Sequence, residues 1–458
     1  MGRVHFSGIG GAGMNPLAQL LAHRGIRVSG SDRAFDQGQN QVIQEILRGR
    51  GITLYPQDGS AIGPDIDRLI HSTAVERDTP ELAAANQLGL TCVPRPALLA
   101  EVVAGGQPGL AVSGTSGKSS VVGMIAWILR QAQCPATVLG GAALAEDGAQ
   151  HMGCFSAGPA AGPVVVEACE SDGTLIGYAP ALGLIHNITR DHAEVAELSR
   201  QFATFAQRSQ RLLVNADDDQ VLCLVHQHPN CISYGMRNSA AQWRCEPLRL
   251  GPWRSQGELT TPDGASLLLD IPQPGMHSIE NGLAALVAAQ ALGVSPAVAV
   301  AALCDFPGVA RRFQVLGRSD QGITVVDDYA HNGAKIAAAL RAAQAGAERV
   351  LAIFQPHGFG PARFLRQELA EMLPQILRPG DRICYGEIFY AGGSVTRDIS
   401  SADLAADLSG LAHADYAPNH LAIIDWVTTH AMPGDTILLM GARDPQLGPL
   451  AQTIFDLL

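Results

Sequence analysis

Short apolar runs alternate with glycine-bearing turns and amphipathic stretches along this chain, the pattern of parallel α/β folds. Val4-His5-Phe6-Ser7 predicts a strand, Gly8-Ile9-Gly10-Gly11-Ala12-Gly13 a turn, and Pro16 to His23 a helix. A second strand, Arg27 to Gly30, ends at Ser31-Asp32. The stretch Ala104-Gly105-Gly106-Gln107-Pro108-Gly109 offers little to pack and reads as a linker. Beyond it, Leu110 to Ser113 predicts a strand that feeds a second glycine loop and a helix beginning near Ser120. Further strands are expected at Val164 to Glu167, Leu184 to Ile188 and Leu212 to Asn215. Apolar positions alternate among turn residues from Cys231 to Ile271, which predicts antiparallel strands or hairpins. Helical Asn281 to Leu292 follows. After Phe306-Pro307-Gly308, strands at Thr324 to Val326, Val350 to Phe354 and Ile437 to Met440 open a third unit.

With 458 residues the chain is long enough for several domains of ~100–200 residues. Apolar residues make up 47% and charged residues 16%, a globular balance and not a disordered one. The net charge of −12 argues against a general nucleic-acid or polyanion binder, since no basic surplus is present to displace counterions. Nine cysteines are scattered without a C-x-x-C pair, which favours free thiols over disulfides or a zinc site. No signal peptide is visible before the first strand, and no apolar run approaches the ~18 residues of a membrane span. A soluble, cytoplasmic protein with no nucleic-acid or membrane partner is expected. Of the 31 basic residues only Lys118 and Lys335 are lysine, so each invites a specific question.

Lys118 lies in Gly114-Thr115-Ser116-Gly117-Lys118-Ser119-Ser120, between a predicted strand and helix. Such a loop aims successive N–H groups and a helix N-terminus at phosphate oxygens. Its lysine meets the β/γ-phosphates as a point charge, and the next hydroxyl is placed for Mg²⁺. A nucleotide-phosphate site is the reading, against a plain glycine turn. The Gly8–Gly13 run with Asp32 about twenty residues on fits a dinucleotide fingerprint, and equally a grip on the diphosphate of another nucleotide such as a UDP-sugar. Glu167 and Glu170 end an apolar strand in the phosphate-loop unit, where acids hold Mg²⁺ or its waters; a solvated acidic loop would look similar. His192, in Asn187-Ile188-Thr189-Arg190-Asp191-His192, is a second metal-ligand candidate or a surface histidine beside a capping Asp191. Arg311-Arg312-Phe313 and Asp327-Asp328-Tyr329-Ala330-His331 open the third unit. An arginine there suits a transferring phosphoryl group and an aspartate a ribose, though either fits a surface ion pair. Lys335 fits a phosphate contact or a helix surface.

In this order the motifs resemble the Mur ligases of peptidoglycan precursor synthesis, over nearly the whole chain. The resemblance rests first on His5–Met14, Val28–Asp32, Ser72-Thr73-Ala74-Val75 and Val93-Pro94-Arg95 with Leu98–Glu101. Gly114–Ser119, Glu167–Asp172, Asn187–His192 and Pro274–His277 with Asn281 continue it. Phe306–Phe313, Asp327–His331 and Phe354-Gln355-Pro356-His357 complete it. It implies three α/β domains. A Rossmann-like domain at 1–105 would bind the UDP-sugar, a central P-loop ATPase domain at 106–308 would bind ATP, and a Rossmann-like domain at 309–458 would bring the amino acid.

The implied activity is an ATP-dependent amide ligase that joins UDP-N-acetylmuramate to an amino acid through an acyl phosphate, with ATP and Mg²⁺. L-alanine is the expected acceptor, and the branch that attaches recycled tripeptide is the alternative. Residue by residue, the resemblance implies that Lys118 and Arg312 serve the phosphoryl group, and that Ser119, Glu167, Glu170 and His192 hold metal. Gly114 to Ser120, Asn281, Arg312 and Asp327 or Asp328 would contact the nucleotide. Gly10, Gly11, Ala12, Gly13, Met14, Asp32, Ser72, His331, His357 and Arg363 would contact the other substrates. Departures from the family pattern are Ser116 for His, Ser119 for Thr, Ser278 for Asn, and Asn332-Gly333 for His-Pro. Gly358 and Pro361 stand where arginines are usual, with Arg363 two residues further on. A lapsed nucleotide-binding protein would also carry such changes, but Lys118, Glu170 and His192 argue against it.

Overall fold

Every strand of the first sheet is parallel; Val4, Phe6, Val28 and Ile70 join an apolar cluster on one face, whereas His5, Ser7, Ser29 and Ser31 on the other belong to a buried hydrogen-bond network with Glu81. The computed structural model describes residues 2–72, 75–76, 78–147, 153–170, 173–189, 195–225, 228–390, 396–410 and 413–458. Strands β1 (Arg3–Ser7), β2 (Arg27–Ser31), β3 (Thr53–Tyr55), β4 (Arg68–His71) and β5 (Thr91–Pro94) lie in the order β3-β2-β1-β4-β5. The chain leaves β1 at the middle of this sheet, so Gly8–Gly13 emerges at the carboxyl ends of the strands beside the switch in strand order. The helix that follows begins at Met14, two residues before the predicted start, with Met14 buried.

The second sheet comprises β6 (Gly109–Ser113), β7 (Thr137–Gly140), β8 (Cys154–Ser156), β9 (Val164–Glu167), β10 (Leu182–Ile185), β11 (Arg211–Asn215), β12 (Cys231–Gly235), β13 (Trp243–Leu250), β14 (Ser255–Thr260) and β15 (Ser266–Ile271). Their order is β15-β14-β13-β12-β11-β10-β6-β9-β7-β8. Only part of the Cys231–Ile271 expectation survives: β14 and β15 form an antiparallel hairpin, whereas β12 joins β11 in parallel. Its Ile232 and Tyr234 are buried, so β12 extends the parallel core instead of turning back. The phosphate-loop helix spans Lys118–Gln131, two residues earlier than predicted. Helix Met276–Ala291 starts five residues early, which puts Asn281 inside the helix.

The first two sheets belong to one compact unit, formed by 1–249, 255–272 and 276–307. Leu98, Leu99 and Val102 of helix Arg95–Ala104 share one apolar cluster with Leu17 on one side and Val164, Val166 and Leu175 on the other. The second unit, 250–254, 273–275 and 308–458, holds β16 (Gln314–Arg318), β17 (Thr324–Asp328), β18 (Val350–Gln355), β19 (Arg382–Gly386), β20 (His413–Ala417) and β21 (Thr436–Gly441). Their order is β16-β17-β21-β18-β19-β20, parallel except for β16. Alternation sorts its strands between two cores. Val326, Ala352, Phe354 and Leu438 pack on one face, and Val325, Leu351, Ile353 and Leu439 on the other. Three α/β sheets therefore stand behind the three expected domains. Among the described residues no helix is long and apolar enough to cross a membrane.

Candidate active site

The loop after β6 is fastened from the neighbouring strand. Asn187, two residues beyond β10, accepts from Thr115 N–H through its carbonyl (3.1 Å) and from Ser116 N–H through Oδ1 (2.8 Å). Its Nδ2 donates back to the Ser116 carbonyl at 3.1 Å, and the Thr115 hydroxyl donates to Oδ1 at 2.9 Å. Gly117 caps the helix with φ +82°, a backbone that favours glycine. A Cβ there would fall 2.5 Å from Asn281 Oδ1 and 3.0 Å from the His186 ring. Asn281 and His186 therefore form the floor of the loop.

Lys118 folds back onto the loop. Its Nζ donates to the Gly114 carbonyl at 2.6 Å and to Glu170 Oε2 at 2.7 Å. Burial works against the ammonium, but the adjacent Glu170, with lesser help from Cys169 and Glu167, holds its pKa above the usual lysine value. The lysine stays charged. Glu170 Oε1 is buried without a partner among the described residues. Nearby, Ser119 Oγ donates to Glu167 Oε1 at 3.0 Å, and Gly141 N–H to Glu167 Oε2 at 2.7 Å. One hydroxyl and two carboxylates, one with an open oxygen, make the hard-oxygen set that suits Mg²⁺. Among the described residues no group of three His, Cys, Asp or Glu side chains gathers as a metal cluster. His192 lies outside the described residues.

In the first sheet, Gly8 and Ile9 N–H groups donate to the Ser31 carbonyl, and Gly10 N–H donates to Asp32 Oδ2 at 2.8 Å. Asp32 Oδ1 accepts from Ala34 N–H at 2.9 Å, capping the short helix Arg33–Asp36. Burial pushes the Asp32 pKa up against these two bonds. Thus the expected ribose acid also organises the loop. Ser72 sits beside Gly8, its Cβ 3.3 Å from where a Gly8 Cβ would be. A cavity of about 230 Å³ is lined by Gly13 of this loop and Arg95, and by Gly141, Glu167 and Cys169, of which Glu167 also accepts from Ser119.

The second unit carries its own polar turn. Arg311, at φ +59°, donates from Nε to Asp327 (3.3 Å) and from Nη2 to the Gly441 carbonyl (2.8 Å). Asp328 accepts from Phe313 N–H at 2.6 Å and from Ala330 N–H at 2.7 Å. Both aspartates thereby support the Arg311–Phe313 turn. Arg312 is presented over Tyr329, 4.7 Å from the ring centroid. His331 lies edge-on to His357 at 5.4 Å, and burial pushes its pKa down to about 4. Arg363 is not gathered with them: it pairs with Asp398 at the surface. Lys335 stands in the first turn of helix Gly333–Ala345, its N–H capped by Asn332.

Known families match in three successive stretches: the Mur ligase family catalytic domain at 3–107, the Mur ligase middle domain at 112–289, and the Mur ligase glutamate ligase domain at 311–443. A UDP-N-acetylmuramate–L-alanine ligase of Thermobifida fusca is 32% identical, covering 98% of this chain and 96% of that protein. One from Acetivibrio thermocellus is also 32% identical, over 96% and 93%. The chain belongs to the Mur ligase family. Two solved structures share the fold. A UDP-N-acetylmuramate-alanine ligase of Thermotoga maritima has a TM-score of 0.79 at 23% identity, over 99% of this chain and 98% of that one. A murein peptide ligase of Psychrobacter arcticus has 0.69 at 21%, over 100% and 98%.

Within this Mur ligase, the fold gathers Gly114 to Ser120, Glu167, Glu170 and Asn281 at one place, and Gly10 to Met14, Asp32 and Ser72 at another. Met14 faces the core with 1% exposure, so only its main chain borders the loop. His186 and Arg95 were not among the candidates. Arg95 follows Pro94 at the start of its helix, and only the folded chain brings it to Gly13. His186 gave a weak signal, one position before the motif that begins at Asn187.

Proposed function

We propose that this Mur ligase joins the carboxylate of UDP-N-acetylmuramate to the amino group of L-alanine at the expense of ATP. The observation that supports the reading is the cavity lined by Gly13 of the first glycine loop and by Glu167, the carboxylate that accepts from Ser119 of the phosphate loop, all within one unit. Residues 1–105 would hold the UDP-sugar, 106–308 ATP, and 309–458 the amino acid.

The carboxylate oxygen attacks the γ-phosphorus and ADP departs, leaving an acyl phosphate. The neutral amine then adds to the acyl carbon; phosphate leaves, and the nitrogen loses a proton as the amide forms. Lys118 exchanges its bond to Glu170 for the β/γ-phosphates, a charge already present and largely desolvated. With Thr115 and Ser116 N–H held by Asn187, Gly117 and the first-turn residues Lys118, Ser119 and Ser120 present N–H groups to the phosphates, and Asn281 an amide. Arg312, displayed on Tyr329, meets charge on the transferring group. His331 and His357 border the acceptor. Ser119, Glu167 and Glu170 would hold Mg²⁺, joined by His192; when bound, it would neutralise charge on the γ-phosphate. The orphaned Glu170 oxygen fits that role.

Phosphate release from ATP, measured with UDP-N-acetylmuramate and a panel of acceptors, tests the reading. Release that requires both the sugar nucleotide and L-alanine supports it. Release only with a tripeptide moves the chain to the recycling branch, whose pattern the run Asp191-His192-Ala193-Glu194-Val195 through Gln201-Phe202 resembles. No release with any acceptor overturns the ligase assignment.

A further inference from the structure

His186 directly follows β10 and lies beneath the phosphate loop, 1% exposed. Its Cβ is 3.1 Å from where a Gly114 Cβ would be, and its ring 3.0 Å from a Cβ on Gly117. Nδ1 lies 2.9 Å from the hydroxyl of Tyr234, which is fully buried on β12, and the two rings stack at 22°. The ring's other partner is the Asn281 side chain. A continuous line of side chains thus runs from Tyr234 through His186 to Asn281, whose Oδ1 crowds Gly117.

The proton positions along this line follow from counting donors. A neutral imidazole has one N–H and one acceptor nitrogen. Burial pushes the His186 pKa down to about 4, helped by Lys118 and opposed by Asn281 and Asp218, so the ring is neutral. Burial also raises the Tyr234 pKa well above that of free tyrosine, and its hydroxyl keeps its proton. Among the described residues the only hydrogen bond of that hydroxyl is to Nδ1. Were it to accept there, its own proton would be buried without an acceptor, a cost of about 1–3 kcal/mol. The phenol therefore donates to Nδ1, and the imidazole proton sits on Nε2, on the side of the Asn281 carboxamide: Nε2 and Asn281 Oδ1 both flank the Gly117 Cβ position, at 3.1 and 2.5 Å. The amide is left with its NH₂ group directed away from this line.

We propose that His186 is a positioning residue, which transmits the donor direction of Tyr234 to Asn281 and locks that amide with its NH₂ toward the nucleotide in the phosphate loop. The inference rests on the reading that Asn281 contacts ATP, and it deepens that reading by one buried layer. Tyr234→Phe removes a single oxygen that does not touch the nucleotide. It frees the ring to carry its proton on Nδ1, and the amide to turn over.

The test uses the full-length protein labelled with ¹⁵N-histidine, with the His186 signal assigned by its loss in His186→Gln. Wild type should give the Nε2–H tautomer, and Tyr234→Phe a shift toward Nδ1–H. Affinity for a non-hydrolysable ATP analogue should fall about fivefold to tenfold in Tyr234→Phe, the scale of one hydrogen bond. KM for ATP should rise in step, with kcat and the KM for UDP-N-acetylmuramate little changed. Glutamine places an amide nitrogen near the Nε2 position and asparagine near Nδ1, so His186→Gln should retain more affinity than His186→Asn. This comparison replaces Tyr234→Phe if that variant does not fold. An Nδ1–H tautomer in wild type, or unchanged analogue affinity in folded Tyr234→Phe, overturns the inference. A wild type that binds no analogue defeats the ATP reading instead, and the tautomer measurement still decides the proton relay.

Discussion

Lys118 and Glu170 form an ion pair of 2.7 Å, with their side chains only 11% and 0% exposed. Two charges held this far from water need each other, and removing either leaves its partner uncompensated. Lys118→Ala should therefore destabilise the chain by about 3–5 kcal/mol, as should Glu170→Ala. The double variant should lose less than the sum. On the proposed function turnover should be abolished in all three, because the phosphates would lose their lysine or the metal site its open oxygen. Urea titrations and phosphate release measure the two effects separately. Additive destabilisation would remove the pair's role in stability, and turnover in Lys118→Ala its role in catalysis.

Two glycines with similar backbones should respond very differently. Gly117 has φ +82° and Gly38 has φ +74°. An added Cβ meets nothing within 4 Å at Gly38, but lies 2.5 Å from Asn281 Oδ1 at Gly117. Gly38→Ala should cost about 1–2 kcal/mol, the backbone penalty alone, and leave ATP affinity intact. Gly117→Ala should cost more, and should weaken binding of an ATP analogue by at least tenfold. Calorimetric titration of the two variants provides the comparison, and equal affinities would mean that the Gly117 contact does not shape the nucleotide site.

Glu81 anchors the floor of the first glycine loop. It is buried at the start of helix Pro80–Gln87, where His5 Nε2 lies 2.9 Å from Oε1 and the Ser7 and Ser31 hydroxyls also donate to it. Burial raises its pKa, but the bonds from His5, Ser31 and Ser7 outweigh that and leave it below the usual glutamate value. Since the folded pKa lies below the unfolded one, the stabilisation is present above about pH 4.5 and is lost as pH falls through the folded value. Glu81→Gln should cost about 1–3 kcal/mol at pH 7 and remove much of the wild type's loss between pH 5 and 3. Urea midpoints across that range measure it; parallel curves would mean that another carboxylate governs acid stability.

Local chemistry made the phosphate loop legible in the sequence. Strand, glycines, lysine and helix are contiguous there, and the turn requires its residues whatever surrounds it. The partners that complete the site are not contiguous. Thr115 reaches Asn187 across 72 positions, and Ser119 reaches Glu167 across 48. His186 carried no pattern of its own, because its meaning comes from Tyr234 and Asn281 on other elements. Strands β3, β4, β5, β7, β8, β16, β19 and β20 were not anticipated either. His413-Ala414-Asp415-Tyr416-Ala417 mixes polar and apolar residues without a clear period, since β20 lies at the edge of its sheet. The hydrogen bonds of Asp327 and Asp328 needed the fold as well: a run of acids after a strand does not show that it will hold Arg311 and the Phe313 N–H.

Asp327 should give the second unit a pH response opposite in sign to that of Glu81. Its side chain is 1% exposed, and burial pushes its pKa up to about 6 despite the Arg311 guanidinium, with Asp328 adding to the rise. An unfolded aspartate titrates near 3.9. Between about pH 4 and 6 the folded chain therefore holds a proton that the unfolded chain has released, so stability falls as pH rises and the penalty is complete above pH 6. Asp327→Asn removes that titration while also weakening the link to Arg311, which costs a similar amount at every pH. Relative to wild type, the variant should gain on the order of 2–3 kcal/mol between pH 4 and pH 7. Urea denaturation of both chains over this range isolates the titration from the lost ion pair. A difference that stays constant with pH would mean that Asp327 is ionised throughout, held by Arg311 more firmly than its burial opposes.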